Sequence, residues 1–243
     1  MTPVFAVASG KGGVGKTSVA VALARELVRR GHRTGLLDAD LHGPDVPRML
    51  GIRRDQKARS VTLTATKGER NAELEAVDVD GLKVASVGFL LGSNQGLTMA
   101  GPFAELMLGR LIKQTVWGEL DVLVADLPPG TGEVQQGLLA LSGDVSAVLV
   151  VTPSEVSHLD TSRAVAVLRQ AKVPLLGGVE NMAYVVCPHC GEPSPLHTPG
   201  PEDRTIWALG VPKLARVPFR TDSVVTTQDV APVAAAVEAR MAA

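Results

Sequence analysis

Eight consecutive residues, Gly10-Lys11-Gly12-Gly13-Val14-Gly15-Lys16-Thr17, carry the clearest chemistry in this sequence. They fit G-x-x-x-x-G-K-[ST], the pattern of a loop that wraps phosphate oxygens. Glycines at these positions let successive backbone N–H groups turn inward around an anion at the positive end of the helix that follows. In such a loop Lys16 contacts the β- and γ-phosphates and Thr17 offers its hydroxyl to magnesium. Ser18 follows as a further nucleotide-binding residue, and the expected ligand is ATP with Mg2+, which the protein is expected to hydrolyse.

Carboxylates fall where that chemistry needs them. Asp38 and Asp40 follow the apolar run Thr34 to Leu37, at the C-terminal end of an expected strand, where sheets of this kind bind ligands. Asp126 ends another apolar run, Val122 to Ala125, and can hold magnesium through water. The Pro128-Pro129-Gly130 that follows reads as a switch loop sensing the γ-phosphate. Any one of these carboxylates alone is better explained as a strand-end cap or turn residue; beside a phosphate loop they read together as part of the nucleotide site.

Cys187-Pro188-His189-Cys190-Gly191 is the second feature. A zinc knuckle needs about four ligands, and this chain offers only Cys187, Cys190 and either His189 or His197. A thiol–disulfide exchange motif places its first cysteine at a helix start, whereas Gly191-Glu-Pro-Ser-Pro195 resists helix. A twofold axis between two chains would bring together four thiolates, the complement of a 4Fe–4S cluster. On the Cys-x-x-Cys spacing alone, zinc ranks first and iron–sulfur second. His42 and His158 read as surface or switch-adjacent residues rather than metal ligands.

The elements that must position these residues follow from hydrophobic periodicity. Buried-strand patterns recur at Val4 to Ala8, Thr34 to Leu37, Lys83 to Val87, Val122 to Ala125, Val145 to Val151, Leu175 to Val179 and Leu214 to Val217. Helical patterns lie between them at Thr17 to Arg30, Phe103 to Val116, Leu159 to Gln170 and Val230 to Met241. This alternation predicts an α/β fold, a doubly wound and mostly parallel sheet. The polar stretch Arg53 to Asp80 reads as a solvated excursion or a short hairpin, and the proline-rich stretch 185–203 as a loop carrying both cysteines.

Composition bounds the rest. With 243 residues, 45% apolar and 20% charged, the chain can bury a full core as a single domain over 1–243. A net charge of -1 gives no electrostatic footprint for nucleic acid. No apolar stretch reaches the roughly 20 residues of a membrane span, and the N-terminus lacks a basic leader. The expected location is cytoplasmic, with neither nucleic acid nor membrane as partner.

Lys11 inside the loop gives Lys-Gly-Gly-Val-Gly-Lys-Thr, which resembles the deviant Walker A P-loop ATPases of the MinD/ParA-like superfamily. The resemblance implies a dimer in which Lys11 touches the partner chain's ATP. It also implies that Asp40 orients the attacking water, that Asp38 lies in the magnesium shell, and that the Asn181 amide bonds the adenine edge. Added to Asp38-Ala-Asp-Leu-His-Gly-Pro44, Trp117 to Gly132, Val179-Glu-Asn-Met182 and the cysteine pair, the motifs stand in the order and spacing of the Mrp/ApbC family of iron–sulfur cluster carrier ATPases. The resemblance runs from Val4 to about Val233. It implies a homodimer with a bridging 4Fe–4S cluster at Cys187 and Cys190, delivered to apo-proteins. The catalytic residues it implies are Lys11, Lys16 and Asp40.

Ala100 and Val230 depart from the family pattern, which bears on partner contacts more than on chemistry. The chain opens directly on the ATPase strand, without the small N-terminal domain of many relatives, which implies delivery assisted by a separate protein. The alternatives are a partition or positioning ATPase of the same fold and a zinc-bridged dimeric ATPase. Against the first, the segment Val230 to Ala243 has neither lysine nor aromatic residues to lie on a membrane.

Overall fold

The computed structural model describes residues 2–40, 43–52, 74–89, 109, 111–112, 114–132, 141, 143–196, 198, 200–221 and 224–243. In chain order its elements are β1 (Val4–Ala8), α1 (Lys16–Arg29), β2 (Thr34–Asp38), α2 (Val46–Met49), β3 (Leu74–Glu75), β4 (Val77–Val79), β5 (Leu82–Ser86), β6 (Thr115–Val116) and β7 (Val122–Asp126). There follow β8 (Val145–Val151), α3 (Glu155–Gln170), β9 (Leu175–Glu180), β10 (Tyr184–Val186), β11 (Pro193–Pro195), β12 (Lys213–Arg216) and α4 (Ala231–Met241).

Among the described residues the main sheet has the order β12-β9-β8-β1-β7-β2-β5-β4. Every pairing is parallel except β4 with β5. The architecture is the expected doubly wound α/β sheet. Strand order reverses around β1, and the loops leaving the C-terminal ends there form the crevice in which such sheets take ligands.

Strand alternation divides the core. Phe5, Val7, Leu36, Val122, Val124, Val148 and Val150 pack with α1 and α4 on one face. Their neighbours Val4, Ala6, Ala8, Leu37, Leu123, Ala125, Leu149 and Val151 pack with α3 on the other. Both faces are covered, so the strands read as continuous apolar runs. The same parity decides where the strand ends point. Asp38 follows Leu36 by two and Asp126 follows Val124 by two, so both carboxylates lie on the α1 face. Parallel register places them opposite each other.

Several boundaries differ from those the periodicity predicts. α3 starts at Glu155 rather than Leu159, because the Ser154 hydroxyl accepts the Ser157 N–H at 3.3 Å and caps the helix earlier. Of the helix expected over 103–116, residues 103–108, 110 and 113 lie outside the described residues. The β-branched pair Thr115–Val116 is not helical but pairs with β3. Residues 53–73 also lie outside the described residues. The end of that polar stretch is a hairpin of β4 and β5, turned by Asp80 and Gly81 with φ of 53° and 84°, the conformation a two-residue turn between twisted strands requires. Lys83 to Val87 shifts to β5, with Val87–Phe89 a 3-10 turn.

α1 is tied to α4 by charge. Glu26 is buried beneath Arg29 and Arg30, at 2.7 and 2.8 Å, and Arg30 continues to Glu238 at 2.6 Å. The Arg29 guanidinium, more than Arg30, holds the Glu26 carboxyl down at about 2. Glu26→Ala is expected to destabilise the protein by about 1–2 kcal/mol at pH 7 in urea unfolding, because both arginines keep some contact with water. A depressed carboxyl contributes stability above its ordinary value of 4.5, lost as pH falls through about 2. The difference between variant and wild type is therefore expected to shrink over that range.

Candidate functional site

The phosphate loop connects β1 to α1, and two of its glycines have conformations other residues resist: Gly13 and Gly15 have φ of 80° and 83°. Gly10 is required for space, since a Cβ there would lie 2.2–2.4 Å from the backbone of Asp160 and Thr161 in α3. Its N–H donates to the Thr161 hydroxyl at 3.2 Å. α1 begins at Lys16 with no side-chain cap from Gly15, so the first-turn N–H groups are oriented for an anion. The switch loop lies alongside. Gly130 N–H donates to Ser9 O at 3.2 Å, and Pro129 Cγ is 3.9 Å from a Cβ position on Gly12.

Below the loop sits a buried charge cluster. Lys16 Nζ lies 2.6 Å from Asp126 Oδ1 and 3.5 Å from the Thr17 hydroxyl. Asp126 is fully buried, and among the described residues its Oδ2 has no hydrogen-bond partner. Burial raises its carboxyl above the ordinary range, against the pull of Lys16 and Thr17. Asp38 is equally buried, and its Oδ2 accepts the Ser86 hydroxyl at 2.8 Å. Its carboxyl is pushed up to about 8, by burial first and by the neighbouring Asp126 charge second. Asp40 lies nearer the mouth: its N–H donates to Asp38 Oδ1 at 3.3 Å, and its Oδ1 accepts the Gly43 N–H at 3.1 Å. These all-oxygen donors and the orphaned Asp126 oxygen fit a hard divalent cation such as magnesium.

Of the remaining expected residues, Lys11 is partly exposed, Val14 is buried and Ser18 is partly exposed. Asn181 is buried, and its Nδ2 donates to Val14 O at 2.8 Å. Sequence reasoning missed Ser86 and Thr161. Ser86 ends an apolar strand as Asp38 and Asp126 do, so the same positional rule could have found it; Thr161 sits mid-helix and carries no such signal.

The cysteines stand on a hairpin rather than in the irregular loop the sequence suggests. β10 and β11 pair antiparallel, and Pro193 and Pro195 are tolerated because the two-stranded ribbon is exposed at its edge. Cys187 N–H donates to Glu192 O, and Gly191 N–H to Cys187 O, both at 2.9 Å. The backbone N–H groups of Cys190 and His189 and the Cys190 side chain hold the Cys187 thiol below its usual range, which favours the metal-binding thiolate. Cys190 is exposed and Cys187 partly so. No third His, Cys, Asp or Glu joins them among the described residues. His42 and His197 lie outside those residues. His158 is not a surface residue: it is buried edge-on against Trp207, its Nδ1 accepting the Ile206 N–H at 3.3 Å.

A family model, ParA, described as NUBPL iron-transfer P-loop NTPase, matches residues 1–243. The chain belongs to these iron-transfer P-loop NTPases. The iron–sulfur cluster carrier protein of Haemophilus influenzae is 38% identical over 216 residues, 89% of this chain and 56% of that protein. Its namesake in Deinococcus radiodurans is 45% identical over 188 residues, 77% of this chain and 51% of that one. The chain thus spans about half the length of these curated relatives. The resemblance to Mrp/ApbC-type carriers read from the motifs is borne out.

Among solved structures, a nucleotide-binding protein of Archaeoglobus fulgidus in complex with ADP superposes with a TM-score of 0.71 at 32% identity, covering 90% of this chain and 83% of that one. The septum site-determining protein MinD of Pyrococcus horikoshii, at 20% identity and a TM-score of 0.65 over 98% and 96%, shares the fold. Among the described residues no helix of this iron-transfer NTPase is long and apolar enough to cross a membrane.

The raised Asp38 carboxyl has a measurable consequence in the nucleotide-free protein. A folded-state value near 8 against an ordinary 3.8 gives stability that is full below 3.8 and lost as pH rises through 8. Asp38→Asn, uncharged throughout, is expected to raise the melting temperature by about 3 °C or more at pH 8, as read by scanning fluorimetry. That gain should shrink steadily toward pH 4.

Proposed function

We propose that this protein is an ATP-binding and ATP-hydrolysing iron–sulfur cluster carrier, a homodimer that holds a bridging 4Fe–4S cluster as cargo and transfers it to apo-proteins. The observation that carries this reading is the cysteine hairpin: two thiols at an exposed tip, one held toward thiolate by backbone N–H groups, with no further ligand beside them among the described residues. Two thiolates cannot complete a cluster, but a twofold axis supplies four. Exposure suits cargo that must leave.

The nucleotide end supplies the drive. Gly10 to Thr17 and Ser18 wrap the phosphates, and Lys16 exchanges its Asp126 partner for phosphate oxygen. Thr17, Asp38 and Asp126 would hold magnesium, which neutralises phosphate charge. Asp40 orients the attacking water, Lys11 reaches the partner chain's ATP, and the Asn181 Oδ1, left over from its bond to Val14, is available to the adenine amine. The chain works as one ATPase domain in the cytoplasm. The net charge of -1 supports a protein recipient rather than nucleic acid or membrane.

Anaerobic reconstitution tests this reading. About four irons and four sulfides per dimer are expected, with thiolate- and sulfide-to-iron absorption at about 400 nm. Both Cys187→Ala and Cys190→Ala should abolish uptake, and Lys16→Ala should cost ATP hydrolysis about 100-fold or more. Zinc without iron uptake, or iron indifferent to either cysteine substitution, contradicts the carrier reading.

A further inference from the structure

Between the nucleotide loop and the cysteine hairpin runs a short stretch of chain that is buried at Glu180, Asn181 and Ala183 and half-buried at Met182 and Tyr184. β9 ends at Glu180, and the next residue, Asn181, is held from two directions. Its backbone N–H donates to Val151 O of β8 at 2.7 Å, and its side-chain Nδ2 donates to Val14 O in the phosphate loop at 2.8 Å. A Cβ on Gly15 would sit 2.2 Å from that Nδ2 and 3.9 Å from Met182 Cε. Asn181 and Met182 thus both rest on the last loop residue before Lys16. Met182 then adopts φ of 55°, a left-handed conformation that a non-glycine residue rarely takes. There the chain turns out of the sheet. Ala183 N–H donates to Val217 O, β10 begins at Tyr184, whose carbonyl accepts the Phe219 N–H, and Cys187 follows β10 directly.

We propose that the Asn181–Met182 corner is the link through which the cysteine hairpin senses occupancy of the phosphate loop, with Asn181 acting as a positioning residue for Cys187 and Cys190. The inference rests on the nucleotide and cargo roles proposed above. An anion drawn into the loop pulls the N–H groups around Val14 and Gly15 toward it. The Val14 carbonyl is bonded to Asn181 and Gly15 is in contact with its amide, so a close-packed contact passes the displacement on rather than absorbing it. The corner lies in a conformation only its surroundings maintain, so it can settle differently when those contacts shift. Linkage makes the effect reciprocal: metal on the cysteines must alter nucleotide affinity by the same factor that nucleotide alters metal affinity.

The test uses the full chain, reduced and metal-free, and follows alkylation of Cys187 and Cys190 by iodoacetamide with mass spectrometry. Rates are compared without nucleotide and with Mg·ADP or Mg·AMPPNP, each saturating against the dissociation constant measured for that variant. The wild-type rate is expected to change at least about fivefold on nucleotide binding. Asn181→Ala should lose that response, and Met182→Ala should reduce it. If Asn181→Ala binds no nucleotide, Met182→Ala decides alone, a full response there overturning the proposal. A wild-type rate indifferent to nucleotide, or a full response in Asn181→Ala, also overturns it. A nucleotide response in a protein that takes up no iron would contradict the carrier reading and leave the link standing; iron uptake without the response would do the reverse.

Discussion

Everything in the nucleotide half depends on one ammonium and two carboxylates taken out of water together, Lys16 with Asp126 and Asp38. Removing charges from water costs several kcal/mol per ion, recovered only by close partners. Here the recovery is incomplete: among the described residues Asp126 keeps one buried oxygen without a partner, and Asp38 holds its proton up to about 8. A site meant only to stabilise the fold would have been cheaper as packed hydrocarbon. This one has room for more positive charge than Lys16 brings, which is what a phosphate chain with a divalent cation rearranges. Strand parity and the parallel register of β2 with β7 produce the juxtaposition, and the glycine-bound entry to α1 places Lys16 above it.

The cysteine end obeys an opposite constraint. Cys190 is exposed and Cys187 partly so, and among the described residues no third ligand stands beside them; in the proposed reading a second copy completes the coordination shell. Backbone N–H groups directed at Cys187 favour the charged sulfur without burying it, a combination suited to a group that is gained and given away. The two ends are physically close in the chain's path because the strand that packs beside the loop, β9, turns directly into the hairpin.

Much of this was legible in the sequence. The phosphate loop, the strand-end carboxylates and the alternation of buried strands with helices carry their own physical signals, since Gly, Asp and continuous apolar runs are each demanded by geometry at those places. What was not legible depends on tertiary contact. The bond from Asn181 to Val14 joins residues far apart in sequence, and nothing local announces it. His158 reads as a surface residue because periodicity does not reveal that Trp207 and Ile206 close over it. The hairpin under the cysteines was hidden by its prolines, which argue against a strand until the strand is seen to lie at an exposed edge.

Whether one cluster joins two chains is read by native mass spectrometry of the anaerobically loaded protein. A dimer carrying a single 4Fe–4S core is expected, with monomers free of iron. Monomers that each retain iron, or a dimer whose mass includes zinc in its place, would contradict it.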